Sequence, residues 1–310
     1  MPLGIKAFVD FVFKKIFGSP ENSVALIGLL NAILKLQRPI LGVTILNPFS
    51  YQEFETAKLV VLDVKAKDTA GRIFNIEMQI SIHPGLLQRM MYYASEMYTD
   101  QLSESDDYTQ LNTTISICLL TGNLFPDSVK VHHRFEMMDA ESGRKMDRAI
   151  EVHTVELRKF EFDESTISSA NPLAQWCWLI LNAHNYPAEE LRRLFPELAF
   201  QRAISCLETI SSKTEDKAMH DQREKAQRDY DWMLSSARKQ GIEQGIEQGI
   251  EQGIEKGKVA GRFEGLVLGR IQALQEVLGE APGTIDSLSQ LDESERQSLL
   301  EGLQSRLRAR

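Results

Sequence analysis

Two runs of alternating residues, Lys58–Lys67 and Arg72–Ile80, place acids and amides on one side of what reads as a single β-hairpin. In the first run Val60, Leu62, Val64 and Ala66 alternate with Val61, Asp63 and Lys65. In the second, Phe74, Ile76, Met78 and Ile80 alternate with Ile73, Asn75, Glu77 and Gln79. Successive strand residues point to opposite faces, so each strand has an apolar face for a core and a largely polar one. The connection Asp68-Thr69-Ala70-Gly71 suits a three-residue loop. Asp68 opens a type I turn and Gly71 takes the left-handed position of a bulge. That turn sets a register in which facing residue numbers sum to 140, so that Asp63 faces Glu77. Their Cβ atoms are then about 5 Å apart.

Two directly opposed carboxylates repel each other unless something compensates. A divalent cation is one compensation, since Mg²⁺ prefers one or two carboxylates completed by waters and phosphate oxygens. Gln79 shares the face of Glu77 and can orient a water or a phosphate oxygen, but a neutral amide is neither a general base nor a cation. From the pattern alone the alternative carries equal weight: a solvated Asp–Glu pair, or one bridged by Lys65.

These residues need a scaffold. Apolar residues recur at helical spacing over 5–17 (Ile5, Phe8, Val9, Val12, Phe13, Ile16, Phe17), and Gly18 and Pro20 stop that helix. A second helix is expected over 21–36, then strands near 42–47, 58–67 and 72–82. Pro84 begins a helix that ends near Ser103. Further strands fall near 113–121, 129–138 and 147–157. Helix, helix, three strands, helix, strand is an α/β order. After about residue 170, helical runs at 172–184, 188–195 and 198–211 lead into a long polar helical stretch. The domain reading is 1–165 for the α/β part, 166–212 for a helical extension, and 213–310 for a helical arm with a terminal helix.

Composition excludes several classes. Among 310 residues, 43% are hydrophobic and 25% charged, as in ordinary globular chains. Lys14 and Lys15 interrupt the first apolar stretch, so no signal peptide is expected, and no run is long enough for a membrane span. Cys118, Cys177 and Cys206 are scattered, which suits reduced thiols in a cytoplasmic protein. The net charge of −9 is unevenly spread: residues 1–160 carry 17 Lys and Arg against 19 Asp and Glu, the rest 18 against 25. The α/β part is thus near neutral, and nucleic acid is neither supported nor excluded by charge. There is no Walker loop, no Rossmann glycine fingerprint and no zinc spacing.

Asp63 followed by Glu77-Met78-Gln79 resembles the PD-(D/E)XK nuclease signature. The opening Asp10-Phe11-Val12-Phe13-Lys14-Lys15-Ile16-Phe17-Gly18, the hairpin, and the helix with Arg89, Tyr92, Tyr93 and Tyr98 are together similar to the Rpn recombination-promoting nucleases, also called PD-(D/E)XK nuclease family transposases. The likeness spans roughly residues 5–160. It implies a restriction-endonuclease-like core of order αβββαβ with a mixed sheet flanked by helices, and Mg²⁺- or Mn²⁺-dependent cleavage of DNA linked to recombination or mobile elements. Asp63 and Glu77 match the metal-holding carboxylates. Gln79 stands where the superfamily pattern has lysine, which removes a positive charge from the transition state. Lys65, Lys14 or Arg89 can substitute for it. Asp10 is a further candidate acid, or a helix residue pairing with Lys14 at i, i+4. Arg89 and the tyrosines fit either substrate contact or packing of an aromatic helix face onto the sheet. Two rival functions remain: a catalytically silent DNA-binding or interaction protein on the same fold, and a toxin or defence nuclease restrained by its C-terminal arm.

In the tail, glycine recurs at 241, 245, 249, 253, 257, 261, 265 and 269 within a Gly-Ile-Glu-Gln repeat. Each four-residue step turns a helix by about 400°, so the glycine row drifts about 40° per repeat. The two readings are a helical arm for self-association or partner binding, and a frayed linker. Leu288, Leu291, Leu299, Leu300 and Leu303 predict a last helix that docks on another.

Overall fold

The computed structural model describes residues 1–51, 64–161 and 164–309. It divides into two compact units, Met1–Asp231 and Trp232–Arg310. In the first unit α1 (Asp10–Phe17) and α2 (Ser23–Leu34) precede strands β1 (Val43–Ile45), β2 (Val64–Asp68) and β3 (Ile73–Gln79). Helix α3 (Leu86–Thr99) crosses to β4 (Thr114–Leu120), and β5 (His132–Glu136) and β6 (Ile150–Glu156) follow. Among the described residues the strands form one mixed sheet in the order β1-β2-β3-β4-β6-β5. The β3–β4 and β4–β6 pairs are parallel, and the others antiparallel.

Helix α1 starts at Asp10, later than the spacing of its apolar residues implies. Ile5 and Val9 are buried all the same, because the preceding segment is pinned in a non-helical course. Leu3 and Gly4 N–H donate to the Tyr186 and His184 carbonyls, and Lys6 N–H donates to His220 Nε2. Burial of an irregular segment thus mimicked helical periodicity.

One sheet face carries Phe74, Ile76, Ile115, Ile117, Leu119 and Val155 into the main core, against α1, α2, α4 (Pro172–Asn182) and α6 (Leu198–Ser212). Helix α5 (Ala188–Leu194) lies between these last two in the chain. Residues 166–212 therefore contribute to the same core as the sheet. Gly28 lets α2 and α6 touch: a Cβ there would stand 2.5 Å from that of Ala199. Helix α3 covers the opposite sheet face with Leu86 and Met90, packed on Cys118, Leu120 and Val152.

Helix α7 (Thr214–Val277) contains the glycine repeat, and the division between the units falls within it. In the second unit α8 (Ile285–Ser289) and α9 (Glu293–Arg308) bury Leu288, Leu300 and Leu303 with Leu268 and Ile271 of α7 and with Leu278 just beyond its end. A capping box between Asp292 and Glu295 starts α9. The predicted docking of the last leucine-rich helix is therefore found. No helix among the described residues is long and apolar enough to cross a membrane.

Candidate active site

The hairpin turn forms as its residue types require. Gly71 has φ +85°, and its N–H donates to the Asp68 carbonyl. The Asp68 carboxylate accepts from Ala70 N–H and Arg72 N–H at 2.9 Å each, and from Arg72 Nε at 2.7 Å. The turn sets the expected register: Val64 faces Ile76, Lys65 faces Asn75 and Lys67 faces Ile73. Asp63, the expected partner of Glu77, and the first half of the 58–67 strand lie outside the described residues.

The expected polar face is not open to solvent. β3 is internal to the sheet, with β2 on one side and β4 on the other, and Asn75, Glu77 and Gln79 are all buried beneath or beside α3. Glu77 is 2% exposed. Its Oε1 accepts from Asn75 Nδ2 at 2.9 Å, and its Oε2 has a long contact of 3.5 Å from Gln79 Nε2. Arg89 of α3 reaches the same oxygen with a guanidinium nitrogen at 3.5 Å. Across the parallel register Glu77 sits beside Cys118, whose thiol pKa is pushed up by burial and then by the Glu77 charge.

The remaining candidates divide between this cluster and other surroundings. Asp10 at the start of α1 lines a cavity of about 230 Å³ together with Gln79 and Arg89. Its Oδ1 accepts from Phe11 N–H at 2.7 Å, and its Oδ2 lies 3.4 Å from an Arg223 guanidinium nitrogen of α7. Burial raises the pKa of this carboxyl, and the Arg223 charge only partly opposes it. Lys65 is beside Asn75 in the register. Lys14 is 1% exposed, and its stem lies against Gly18.

Two of the α3 tyrosines, Tyr92 and Tyr93, do not pack on the sheet, and Tyr98 is half-buried. Tyr92 and Tyr93 are exposed and stacked edge-on to each other, and the sheet-facing stripe is Leu86, Met90, Ala94 and Met97. Arg223, which shares the cavity wall with Gln227 and Tyr230, is the site residue that sequence reasoning missed. A signal for it existed: Asp216, His220, Arg223, Gln227 and Tyr230 recur three or four apart, as one face of a helix.

The geometry is that of a buried acid in contact with two amides and an arginine near the end of a central strand, next to a small cavity that Gln79 and Arg89 line with a second acid and a second arginine. A family profile described as PD-(D/E)XK nuclease family transposase matches residues 7–237. The chain belongs to this family. No curated protein and no solved structure matches it significantly. The PD-(D/E)XK membership carries a nuclease-type function, and such nucleases generally use divalent metals. The match runs past the sheet into α7 and includes every α7 residue that lines the cavity.

The donor chemistry here fits such an ion. Asn75 Oδ1 and Ser116 Oγ are buried on the Glu77 face of the sheet and have no hydrogen-bond partner among the described residues. With the Glu77 carboxylate they make an oxygen set of the kind that hard cations take.

Proposed function

We propose that the protein is a Mg²⁺- or Mn²⁺-dependent DNA endonuclease acting in recombination or mobile-element biology. The observation that supports this best is Glu77, a carboxylate 2% exposed at the end of a central strand and ringed by Asn75, Gln79 and Arg89. A charge so buried is costly unless a function or a full set of partners compensates it.

In this reading Asp63 and Glu77 hold the ion. When bound, the ion supplies a lowered pKa to a coordinated water and neutralises phosphate charge. Gln79 orients that water or a phosphate oxygen through its amide, and its contact to Glu77 holds the amide in place. Arg89 stands where it can neutralise the phosphate as the water oxygen bonds to phosphorus and the bridging P–O bond breaks. Asp10 is positioned to accept or return a proton at the cavity rim, since its burial favours the protonated form. The exposed Tyr92 and Tyr93, one turn beyond Arg89 on α3, offer aromatic faces for bases or sugars.

The arm over 241–269 is proposed as a self-association or partner surface. Ile242, Ile246, Ile250 and Ile254 form an exposed row on α7, and the glycines beside them have open space where a Cβ would stand. Cytoplasmic action is part of the same proposal. The test of the nuclease reading is plasmid nicking by the full chain with Mg²⁺ or Mn²⁺, beside Asp63→Ala and Glu77→Ala. Cleavage that needs the ion and both acids supports it. An uncut plasmid, or cleavage that survives both substitutions, refutes it.

A further inference from the structure

We propose that the outer edge of β5 is a two-fold interface, at which a second copy of this chain adds its own β5 antiparallel and centred on Phe135. β5 ends the sheet, and among the described residues no strand pairs with its outer side. Glu156 N–H donates to the Val131 carbonyl, and Met146 N–H donates to the Met137 carbonyl. Between these bonds β5 runs in register with β6, from His132 opposite Val155 to Glu136 opposite Glu151. Alternate residues of an antiparallel ladder point their backbone groups to the same side. Val131, His133, Phe135 and Met137 therefore turn theirs inward, and His132, Arg134 and Glu136 turn N–H and C=O outward.

Such an edge is a template for another strand, and many edges are blunted by proline, lysine, a bulge or a covering element. β5 itself contains no proline and no lysine. It leaves apolar surface open instead: Phe135 is 42% exposed and Met137 48%. Phe135 completes an aromatic group with Phe125 and His133, whose ring centroids lie 6.0 and 6.4 Å from its own.

Parity and charge together select the partner and the register. Outward backbone groups must meet outward groups, so His132, Arg134 and Glu136 face even-numbered residues of the added strand. A two-fold axis through Arg134 sets that residue against its own copy, and an axis through Glu136 does the same for the acid. Like charges directly opposed are destabilising. An axis through Phe135 instead faces Arg134 of each copy with Glu136 of the other. It also faces His133 with Met137, and the two Phe135 rings with each other. A two-fold contact repeats each such pair, so the edge is its own complement. Arg134 and Glu136 already share an ion network with Glu151 and Lys145. That network holds two cations and two acids, so two copies of the edge meet without net repulsion.

The experiment uses the full chain and single cysteines at this edge, since Cys118, Cys177 and Cys206 are all buried. Phe135→Cys, Arg134→Cys and Glu136→Cys are oxidised with copper phenanthroline, each alone and the last two mixed, and run on a non-reducing gel. Facing Cα atoms in an antiparallel pair are about 4.5–5.5 Å apart, within disulfide reach. Diagonal neighbours are about 7–8 Å apart. The expected result is at least about fivefold more cross-linked dimer from Phe135→Cys, and from the mixture, than from Arg134→Cys or Glu136→Cys alone. In the Phe135→Cys background, adding Arg134→Glu should cut the yield about fivefold, and adding Glu136→Arg as well should restore it. A folded Phe135→Cys that stays monomeric overturns the proposal, as it does if the edge takes a strand of another protein. Equal yields from all three cysteines, or a highest yield from Arg134→Cys or Glu136→Cys alone, overturn it too. If a thermal melt shows the Arg134→Glu chain unfolded, the mixed cysteine pair decides the register.

Discussion

Replacing Asp68 by alanine should do more damage than its place in a surface turn suggests. Its carboxylate accepts two backbone N–H groups, from Ala70 and Arg72, and pairs with the Arg72 side chain. Hydrogen bonds to a charged group contribute about 1.5–3 kcal/mol each. The two backbone bonds at the lower figure come to about 3 kcal/mol. The partly exposed Arg72 pair adds no more than about 1 kcal/mol. Asp68→Ala should therefore destabilise the first unit by about 3–4 kcal/mol, and Asp68→Asn, which keeps an acceptor for the N–H groups, by about 1–2 kcal/mol. Urea unfolding read by tryptophan fluorescence measures this, because Trp176 and Trp178 are buried in that unit while Trp232 is 70% exposed. Nicking should fall further than the unfolded fraction explains, since a one-residue slip of the hairpin turns every side chain to the wrong face. An Asp68→Ala protein within 1 kcal/mol of wild type would refute the idea that the turn sets the register.

Mg²⁺ at a hundred times its Kd should stabilise the chain by about 2.7 kcal/mol, seen as a raised melting temperature, and Glu77→Gln should abolish that rise. Replacing Gly245, Gly249 and Gly253 by alanine should stabilise α7 by about 1 kcal/mol each and slow amide exchange there, since a Cβ meets nothing at these positions. Faster or unchanged exchange would mean that the glycine row is packed against another chain. His132 is held down to about 4, by burial first and then by His153 beside it, against an ordinary 6.5. The unfolded chain gains this proton first as pH falls, so the stability contribution is full above pH 6.5 and declines toward pH 4. His132→Gln should flatten the urea midpoint across that interval, and a midpoint that still falls as steeply would reject this cause.

The local features of the site were readable because they rest on local chemistry. Asp68 and Gly71 announced their turn, the turn dictated the register of Val64–Lys67 on Ile73–Ile76, and alternation put Glu77 and Gln79 on one face. Arg89 was legible as a helix residue facing that strand. Less legible were features that depend on what packs over the hairpin. Alternation cannot tell a polar face in solvent from one under a helix, so the covering of Glu77 by α3 was not foreseen. Arg223 was hidden by distance along the chain and by a helix whose repeat drew attention to its far end. The irregular course of Leu3–Val9 was hidden because its buried residues share the apolar spacing of a helix.

The anchoring of the α7 root also bears on the order in which the polypeptide is made. Lys6 and Glu224, which bind each other, are 218 positions apart. At about 5–20 residues per second, roughly 11–44 s pass on the ribosome between their syntheses. During that interval the nascent chain carries Asp10, Glu77 and Gln79 but not the wall formed by Arg223, Gln227 and Tyr230. A premature stop before Asp216 leaves a hairpin with an open cavity, whereas a stop inside the repeat leaves the cavity residues complete. A change in the length of the repeat would therefore alter the arm and leave the residues of the cavity in place.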